Sequence, residues 1–303
     1  MPAEVYDLII AGTGPAGMTA AVYAQRLGLR TVVFGDIPGG SLYMVERLTN
    51  FPGMGEPIAG MEFGMRLFQQ ASAEGACFTM SRLRRLGQDR NLFLAVDDKE
   101  RSYAAAVAIV ATGHAPVRLP GEHPSLNGVH FCSVCDGPLY RNQKATLAVV
   151  GSDNTAVQHA VTLARLAEKV ILVFRSAAPL MDAAHATLLK KQQKVAIFAD
   201  SEVIGFRGEK DLQALLVKQK GGPVREMAVD GVFLAIGWRP HLDCLDLRLE
   251  KSADGYLVTD ANLMTSHPGL FAAGDVRASN LRQVLTSCAD GARAAKSASV
   301  RLR

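Results

Sequence analysis

The sequence is most informative at Tyr6-Asp7-Leu8-Ile9-Ile10-Ala11-Gly12-Thr13-Gly14-Pro15-Ala16-Gly17, which continues as a helical pattern to about Leu27. The apolar first half is typical of a buried parallel strand. A G-x-G-x-x-G motif between a strand and a helix predicts a dinucleotide site, because free backbone N–H groups and the positive helix end attract a pyrophosphate. In this motif Gly12 permits the tight turn, Gly14 lets the backbone approach phosphate, and Gly17 lets helix and strand pack closely.

The residues after this first helix extend the same unit. Leu29–Phe34 has the pattern of the next strand, and Asp36 follows it. An acidic residue about 20 positions beyond the first glycine is typical of a dinucleotide site, because it binds the adenosine ribose. We therefore expect Asp36 to contact that ribose. Further along, the patterns predict a helix around Met61–Glu74 and strands near Leu92–Val96 and Ala105–Val110.

A second strand–turn–helix unit lies in the middle of the chain. Ala145–Val150 reads as a buried strand, Val157–Ala164 has apolar residues at helical spacing, and Lys169–Phe174 reads as the next strand. The repeated βαβ pattern predicts two nucleotide-binding domains of the α/β class. The chain would cross between them in the loops near Pro116–Pro124 and Pro240–Asp246.

The composition indicates a globular protein without a membrane span. Of 303 residues, 49% are hydrophobic and 20% charged, which excludes disordered and fibrous chains. The longest apolar run, Ala104–Ala111, is far shorter than the roughly 20 residues that span a bilayer. A net charge of +4 is too small to indicate nucleic acid binding. The first ten residues lack a basic region, so we expect no signal peptide and a cytoplasmic location.

A second chemical motif is Cys132-Ser133-Val134-Cys135, which Asp136 follows directly. Two thiols at this spacing can close a disulfide, and an adjacent carboxylate can move the proton that thiol–disulfide exchange requires. Two other interpretations are half of a zinc site, for which His130 and His123 are candidate ligands, and a pair of core cysteines. The remaining cysteines stand singly and are expected to be buried small hydrophobic residues: Cys77, Cys244 and Cys288.

These motifs resemble those of the low-molecular-weight, bacterial-type thioredoxin reductases, and the resemblance covers essentially the whole chain. Besides Gly12–Gly17 and Cys132–Gly137, the shared segments are Pro38-Gly39-Gly40, Asn50-Phe51-Pro52-Gly53, Ala111-Thr112-Gly113, Leu119-Pro120-Gly121-Glu122, Ala235-Ile236-Gly237 with Pro240, Ala273-Gly274-Asp275-Val276 and Arg282-Gln283-Val284. Together these segments are far more specific than any one of them.

The resemblance implies an α/β fold with two Rossmann-like, three-layer ββα domains, the second inserted into the first. Residues 1–115 and 245–303 would form a FAD-binding domain, and residues 116–244 an inserted NAD(P)H-like domain that carries the C-x-x-C motif. It also implies a homodimer and a thioredoxin-type protein substrate. Residues beyond the first glycine motif that would contact FAD are Gly40, Asn50, Thr112, Gly113, Gly274, Asp275, Arg282, Gln283 and Val284.

The resemblance also implies roles for individual side chains. In the family pattern the second cysteine, Cys135, faces the flavin, and Cys132 exchanges with the substrate disulfide. Asp136 is then the acid–base residue. Asp275 would bind the ribityl–phosphate region of FAD, and Arg282 would lie beside the isoalloxazine ring.

The second glycine motif departs from the family pattern. Members that use NADPH carry G-x-G-x-x-A, whereas this chain reads Gly151-Ser152-Asp153-Asn154-Thr155-Ala156. The Cβ of Asp153 would obstruct the approach of pyrophosphate, and its carboxylate would repel it. Two unit charges about 5 Å apart repel by about 3 kcal/mol at an effective dielectric near 20. Such a contact would lower affinity on the order of 100-fold.

A second departure concerns the arginines that grip the 2′-phosphate of NADPH in the family. The stretch His-Arg-Arg, with another arginine four residues later, is here Phe174-Arg175-Ser176 with Leu180 at the later position. One arginine of three remains. Both departures predict that NADPH is bound poorly or not at all.

The sequence therefore predicts a FAD-dependent disulfide reductase that acts on a thioredoxin-type disulfide and takes its electrons from a donor other than NADPH. A one-electron protein such as ferredoxin is the natural replacement, because a flavin can collect single electrons and pass on a pair. Three alternatives stay open at this point. They are an NAD(P)H-dependent reductase with an altered cofactor site, a dithiol oxidase that uses oxygen, and a flavin-binding interaction protein without turnover.

Overall fold

A computed structural model of the chain describes residues 4–45, 47–119, 121 and 126–303. Of the positions discussed above, Pro120, Glu122, His123 and Pro124 lie outside the described residues. The chain forms two compact units. The first combines residues 1–115 with 239–303, and the second comprises residues 116–238.

The helices are numbered in chain order. They are α1 (Pro15–Arg26), α2 (Gly60–Ala73), α3 (Ser133–Asp136), α4 (Asn154–Ala164), α5 (Ala183–Lys190) and α6 (Val284–Arg301). Short 3₁₀ turns lie at Gly40–Met44, Gly137–Tyr140 and Gly274–Val276. Among the described residues, no helix combines the length and the apolar character that a membrane crossing requires.

The strands are also numbered in chain order. They are β1 (Glu4–Ala11), β2 (Thr31–Phe34), β3 (Cys77–Phe78), β4 (Leu83–Asp89), β5 (Leu92–Asp97), β6 (Ser102–Val110), β7 (His114–Pro116), β8 (Val129–His130), β9 (Thr146–Val150), β10 (Lys169–Val173), β11 (Val195–Phe198), β12 (Ser201–Arg207), β13 (Ala214–Gln219), β14 (Val224–Ala228), β15 (Gly231–Leu234), β16 (Trp238–Pro240) and β17 (Leu270–Ala272).

The first unit is built around one sheet with the order β3-β2-β1-β6-β5-β4. Strands β3, β2, β1 and β6 are parallel to one another, and β17 also pairs with β6 in parallel. Strand β5 pairs with β6, and β4 with β5, in antiparallel orientation. The central strands are apolar on both faces, as expected for a parallel sheet that is covered on both sides. Helices α1 and α6 pack closely, since a Cβ on Gly291 would lie 2.1 Å from the carbonyl oxygen of Ala16.

The second unit contains a parallel sheet with the order β11-β10-β9-β15-β8 and an antiparallel sheet with the order β12-β13-β14. Helix α4 buries Val157, Ala160 and Leu163 in the core formed with β9 and β10. The opposite face of the parallel sheet packs on the antiparallel sheet through Val173 and Leu215. The predicted α/β class with two Rossmann-like domains is confirmed.

The second chain crossing lies earlier than the sequence indicated. We expected the inserted part to extend to residue 244, but residues 239–244 pack with the first unit. The backbone N–H of His241 donates to the carbonyl oxygen of Gly113 at 3.0 Å. The backbone N–H of Leu86 donates to the carbonyl oxygen of Cys244 at 2.7 Å. These bonds attach the segment to the first unit before the predicted boundary.

The expectation that all single cysteines are buried is wrong. Cys77 is exposed, because it lies on β3, a two-residue strand at the edge of the first sheet. Cys244 and Cys288 are half-buried. Burial raises the pKa of the Cys244 thiol to about 11 and also raises the pKa of the Cys288 thiol, so both stay protonated at neutral pH.

Candidate functional site

The turn between β1 and α1 is tightly packed on one side and open on the other. Gly12 has φ +122°, and a Cβ there would lie 2.2 Å from the carbonyl oxygen of Ala111. A Cβ on Gly17 would lie 1.9 Å from the carbonyl oxygen of Gly12. At Gly14, by contrast, a Cβ would meet no atom of the described residues within 4 Å. The helix N-terminus therefore faces open space.

This open helix end suits an anion. Gly14 is the N-cap of α1 and Pro15 is its first residue, so the turn is preorganised for a helix start. The N–H groups of Ala16 and Gly17 lie in the first turn, where a helix offers no acceptor of its own. The first residue of the 3₁₀ turn borders this open space, since a Cβ on Gly40 would lie 3.0 Å from the Cα of Gly14.

Asp36 lies two residues beyond β2, where we expected it to contact an adenosine ribose. Its carboxylate forms an ion pair with Arg82, whose guanidinium Nε donates to Oδ2. Both side chains are substantially exposed. Arg82 was not among the predicted site residues, because nothing in the sequence links position 82 to position 36.

Five of the other predicted FAD residues of this unit form two groups. Thr112 Oγ1 donates to the carbonyl oxygen of His241 at 2.6 Å, and Gly113 follows it with φ +68°. Asn50 Nδ2 donates to Gln283 Oε1 at 2.9 Å. Gln283 is the N-cap of α6, and Val284 is the first residue of that helix.

Asp275 is surrounded by side chains that sequence reasoning did not select. Its Oδ1 accepts from Ser287 Oγ at 3.1 Å, and its Oδ2 lies 3.3 Å from His114 Nε2. His114 Nδ1 also lies 3.2 Å from the hydroxyl of Tyr256. The backbone N–H of the preceding Gly274 donates to Asp290 at 3.2 Å. No local motif in the sequence indicated this cluster.

Arg282 carries a buried polar atom that needs a partner. Its guanidinium carbon lies 3.9 Å from the centre of the Tyr256 ring, a cation–π geometry. Its Nε is buried and has no hydrogen-bond partner among the described residues. A buried donor without a partner points to a missing acceptor. Together with the open end of α1, this donor fits a bound dinucleotide such as FAD.

The two cysteines of the second unit are bonded to each other. Cys132 and Cys135 form a disulfide with Cα atoms 5.3 Å apart. Cys132 is the N-cap of α3, and its Sγ accepts from the N–H of Cys135 at 3.2 Å. Among the described residues no group of side chains could hold a metal ion, and His123 lies outside them. Two sulfurs bonded in this way can take part in thiol–disulfide exchange.

Asp136 ends α3 and lies beside a histidine. Its Oδ2 is 3.5 Å from Nδ1 of His130, and both side chains are largely buried. The other ring nitrogen of His130, Nε2, lies 2.8 Å from the hydroxyl of Tyr140. The sequence suggested His130 only as a zinc ligand. Its position two residues before Cys132 was the signal that could have indicated a role in the cysteine chemistry.

The turn between β9 and α4 differs from the turn before α1. Asp153 is the N-cap of α4, and its Oδ1 accepts from the N–H of Ala156 at 3.0 Å. Its carboxylate therefore occupies the helix end at which an anion would bind. Gly151 keeps φ +150°, and a Cβ there would lie 2.2 Å from the carbonyl oxygen of Ala235. The backbone of the turn is preserved while its helix end carries a negative charge.

A neighbouring segment packs against this turn. The N–H of Leu180 donates to the carbonyl oxygen of Ser152 at 2.6 Å. Asn154 and Asp182 exchange two hydrogen bonds of 3.0 Å, one in each direction. The remaining arginine of the expected cluster, Arg175, forms an ion pair of 2.6 Å with Glu202.

Comparison with known proteins shows the family to which the chain belongs. A family model described as pyridine nucleotide-disulphide oxidoreductase matches residues 6–291, and the chain belongs to this family. It is 37% identical to thioredoxin reductase of Treponema pallidum over 298 residues, which cover 97% of this chain and 96% of that protein. Thioredoxin reductase of Listeria monocytogenes is also 37% identical, over 97% of this chain and 93% of the relative.

A solved structure gives the same result. The crystal structure of thioredoxin reductase from Streptococcus pyogenes superposes with a TM-score of 0.90 at 32% identity, covering 99% of each chain. The chain is therefore a flavoprotein disulfide oxidoreductase of the thioredoxin reductase type, as predicted. FAD is the cofactor of this class.

Proposed function

We propose that the protein passes electrons from FAD through Cys132–Cys135 to the disulfide of a thioredoxin-type protein, and that its electron donor is not NADPH. The first part is supported by the disulfide at the start of α3 and by relatives named thioredoxin reductase. The second part departs from the family name, which refers to a pyridine nucleotide. The observation that carries it furthest is the 3.0 Å hydrogen bond by which Asp153 caps α4.

The first unit is the proposed FAD-binding domain. Gly12, Gly14 and Gly17 would admit the pyrophosphate at the start of α1, and Arg282 would donate from its buried Nε. Asp275 would bind the ribityl–phosphate region. When bound, FAD supplies electron pairs that reduce the disulfide. We also propose that the protein is a cytoplasmic homodimer, for which sedimentation at micromolar concentration is the test of assembly.

The second unit would carry the exchange with the substrate. The thiolate of Cys132 attacks one sulfur of the substrate disulfide, and a mixed disulfide forms. Cys135 then attacks the sulfur of Cys132, which closes the protein disulfide and releases the second substrate thiol. Asp136 moves the proton between Cys135 and the departing sulfur.

The argument against NADPH has three physical parts. Asp153 Oδ1 already accepts the first-turn N–H of Ala156, so this donor is not available to a phosphate. The carboxylate repels a pyrophosphate by about 3 kcal/mol at about 5 Å in an effective dielectric near 20. The 2′-phosphate would meet Ser176 and Leu180 in place of arginines, and Arg175 is engaged with Glu202.

A ferredoxin-type protein is the proposed donor. Plant-type ferredoxins have potentials of about −400 mV and thioredoxin of about −270 mV, so transfer of two electrons releases about 6 kcal/mol. The net charge of +4 favours an acidic partner over a basic one.

The test is an anaerobic titration of the FAD-loaded protein with NADPH, NADH and reduced ferredoxin in parallel. Flavin absorbance reports reduction, and dithionite gives the fully reduced reference. We expect reduced ferredoxin to bleach the flavin and NADPH to leave it oxidised at micromolar concentrations. Rapid stoichiometric bleaching by NADPH would overturn the donor assignment. Peroxide production from substrate thiols in air, without any reductase activity, would indicate an oxidase instead.

A variant tests the disulfide pathway separately. Cys135→Ser is expected to bind FAD as the parent protein does and to deliver no electrons to thioredoxin. Cys77→Ser is the matched control, because Cys77 is an exposed single cysteine outside the disulfide. Unchanged turnover in Cys135→Ser would show that electrons take another route.

A further inference from the structure

His130 lies in a position built for a histidine ring beside the disulfide. It ends β8, and its ring stacks on Phe233 of the neighbouring strand β15 with centroids 4.8 Å apart. Its side chain is only 9% exposed. Space for Tyr140, which lies against the ring, depends on Gly231, since a Cβ there would lie 2.3 Å from the Tyr140 hydroxyl.

The hydrogen bonds around this ring are compatible with a neutral ring that carries its proton at Nε2. The Tyr140 hydroxyl donates to the carbonyl oxygen of Asp230 at 3.3 Å. Nε2 of His130 lies 2.8 Å from the same hydroxyl, and which of the two donates depends on the tautomer of the ring. In the tautomer protonated at Nε2, the hydroxyl accepts from Nε2–H, and the unprotonated Nδ1 faces Oδ2 of Asp136 at 3.5 Å. A carboxylate and an unprotonated ring nitrogen that face each other can share one proton.

We propose that His130 is a positioning residue for Asp136, and that the two side chains jointly hold the proton exchanged with the cysteine pair. This inference rests on the proposed disulfide reduction. The imidazolium form keeps every contact, because Nε2–H still donates to Tyr140 while Nδ1–H faces Asp136. The ring can therefore take up and release a proton without moving.

The pair accounts for the proton that moves in the second exchange step. When Cys135 attacks Cys132 in the mixed disulfide, its thiol proton passes through Asp136 to Nδ1 of His130. The Cys132–Cys135 bond forms, the bond from Cys132 to the substrate sulfur breaks, and the departing sulfur receives the proton. Over both exchange steps the dithiol loses two electrons and two protons, and the substrate disulfide gains them.

The titratable side chains against the ring, among the described residues, are Asp136 and Tyr140. Asp230 lies behind Tyr140, and its carboxylate accepts from the N–H of Thr146 at 2.7 Å. Histidine is the side chain that ordinarily changes charge between about pH 5 and 8. Loss of the ring should therefore alter the pH dependence of the exchange in that range.

The experiment measures a single exchange without any electron donor. The protein is reduced with dithiothreitol, desalted without oxygen, mixed with oxidised thioredoxin, and quenched in acid so that its thiols can be counted. His130→Gln places an amide near the Nε2 position, and His130→Asn places one near the Nδ1 position. Neither amide can carry the proton. We expect a rate about tenfold lower near pH 7, an unchanged thioredoxin concentration for half-maximal rate and a flatter pH profile between about pH 5 and 8.

Two further variants isolate the cause. Tyr140→Phe removes only the hydroxyl that contacts Nε2 of His130, and it should lower the rate about threefold, because general acid–base catalysis depends on positioning. His185→Gln is the matched control, because His185 also contacts a carboxylate, Asp182, at 2.7 Å in the same unit. It should leave both the rate and the pH profile unchanged.

The outcomes separate this inference from the proposed function. If folded His130→Gln and His130→Asn keep the wild-type profile while Cys135→Ser stops at the mixed disulfide, the role of His130 is wrong and the disulfide pathway stands. If Cys135→Ser releases both thioredoxin thiols as fast as the wild type, the proposed function itself is wrong. An equal loss of rate at every pH would make His130 merely structural, and this too would overturn the proposal.

Discussion

The two strand–turn–helix units share their first glycine and differ at their second motif position. Gly12 and Gly151 both have positive φ, and a Cβ at either would lie 2.2 Å from a carbonyl oxygen, that of Ala111 or of Ala235. In both units this glycine lets the turn pass the end of a neighbouring parallel strand. The fold needs it whether or not a ligand binds.

The second position has no such function in folding. A Cβ at Gly14 would meet no described atom within 4 Å, and its φ of −75° is open to any residue. Asp153 occupies the equivalent position with a similar backbone, φ −97°. The turn therefore does not account for a glycine at position 14, whereas the proposed FAD site does. The comparison separates the glycines that the turns require from the residue at which the FAD pyrophosphate is proposed to lie.

The largest expected effect comes from making the first turn like the second. Gly14→Asp should cap α1 as Asp153 caps α4 and place a carboxylate at the proposed FAD pyrophosphate. We expect FAD affinity to fall on the order of 100-fold or more, because the repulsion is about 3 kcal/mol. Titration of FAD into the stripped protein, followed by flavin fluorescence, measures this change.

Gly14→Asn is the control for this variant, since asparagine caps a helix about as well as aspartate without the charge. It should retain more affinity than Gly14→Asp. Equal losses in the two variants would mean that side-chain volume, and not charge, closes the site.

The reverse change has the next largest expected effect. Asp153→Gly with Ser176→Arg removes the carboxylate and restores one arginine for the 2′-phosphate. We expect NADPH affinity to rise about tenfold or more, because a charge-assisted contact replaces a repulsive one. Anaerobic flavin reduction by NADPH gives the apparent affinity. Ser176→Arg alone is the control, and no gain in the double variant would place the obstacle in the segment around Leu180.

Local sequence patterns were sufficient to predict both turns, because every residue involved is close in the chain. The charge of Asp153 was predicted as an obstruction, and the structure adds that it caps α4. The contacts of Arg282 with Tyr256 and of His130 with Tyr140 could not be predicted in this way. They depend on how elements that are distant in the chain pack against each other. The hydrophobic periodicity of the sequence does not contain this information. Cys77 illustrates the same limit, since only the strand order places it at a sheet edge.

A smaller effect concerns stability. Asp153→Ala removes the cap of α4 and should lower the free energy of unfolding by about 1 kcal/mol. The N–H of Ala156 loses its acceptor, so its hydrogen exchange should become faster. Asp153→Asn should preserve both properties. If Asp153→Ala left the hydrogen exchange of the Ala156 amide unchanged, this cap would not form in solution. Positions 14 and 153 would then differ in charge but not in helix capping.

The smallest effect is a pH dependence at the segment that covers the second turn. Hydrogen bonds from the backbone N–H and then the ring of His185 lower the pKa of Asp182 below its ordinary 3.8. A carboxyl with a lowered pKa stabilises the folded state above 3.8, and this contribution is lost as the pH falls through the folded value. We therefore expect the amide of His185 to lose its protection only below pH 3.8, which NMR can follow.

Asp182→Asn tests the origin of this acid response, because asparagine also caps a helix but does not titrate in this range. Its His185 amide should show no such transition. Asp182 also holds Asn154 by two hydrogen bonds, so in the wild type the signals of Ser152 and Asn154 should shift together with that of His185. If the signals of Ser152 and Asn154 stayed constant while the signal of His185 changed, the segment around Asp182 would not influence the turn before α4. The difference between the two turns would then come from the side chain of Asp153 alone.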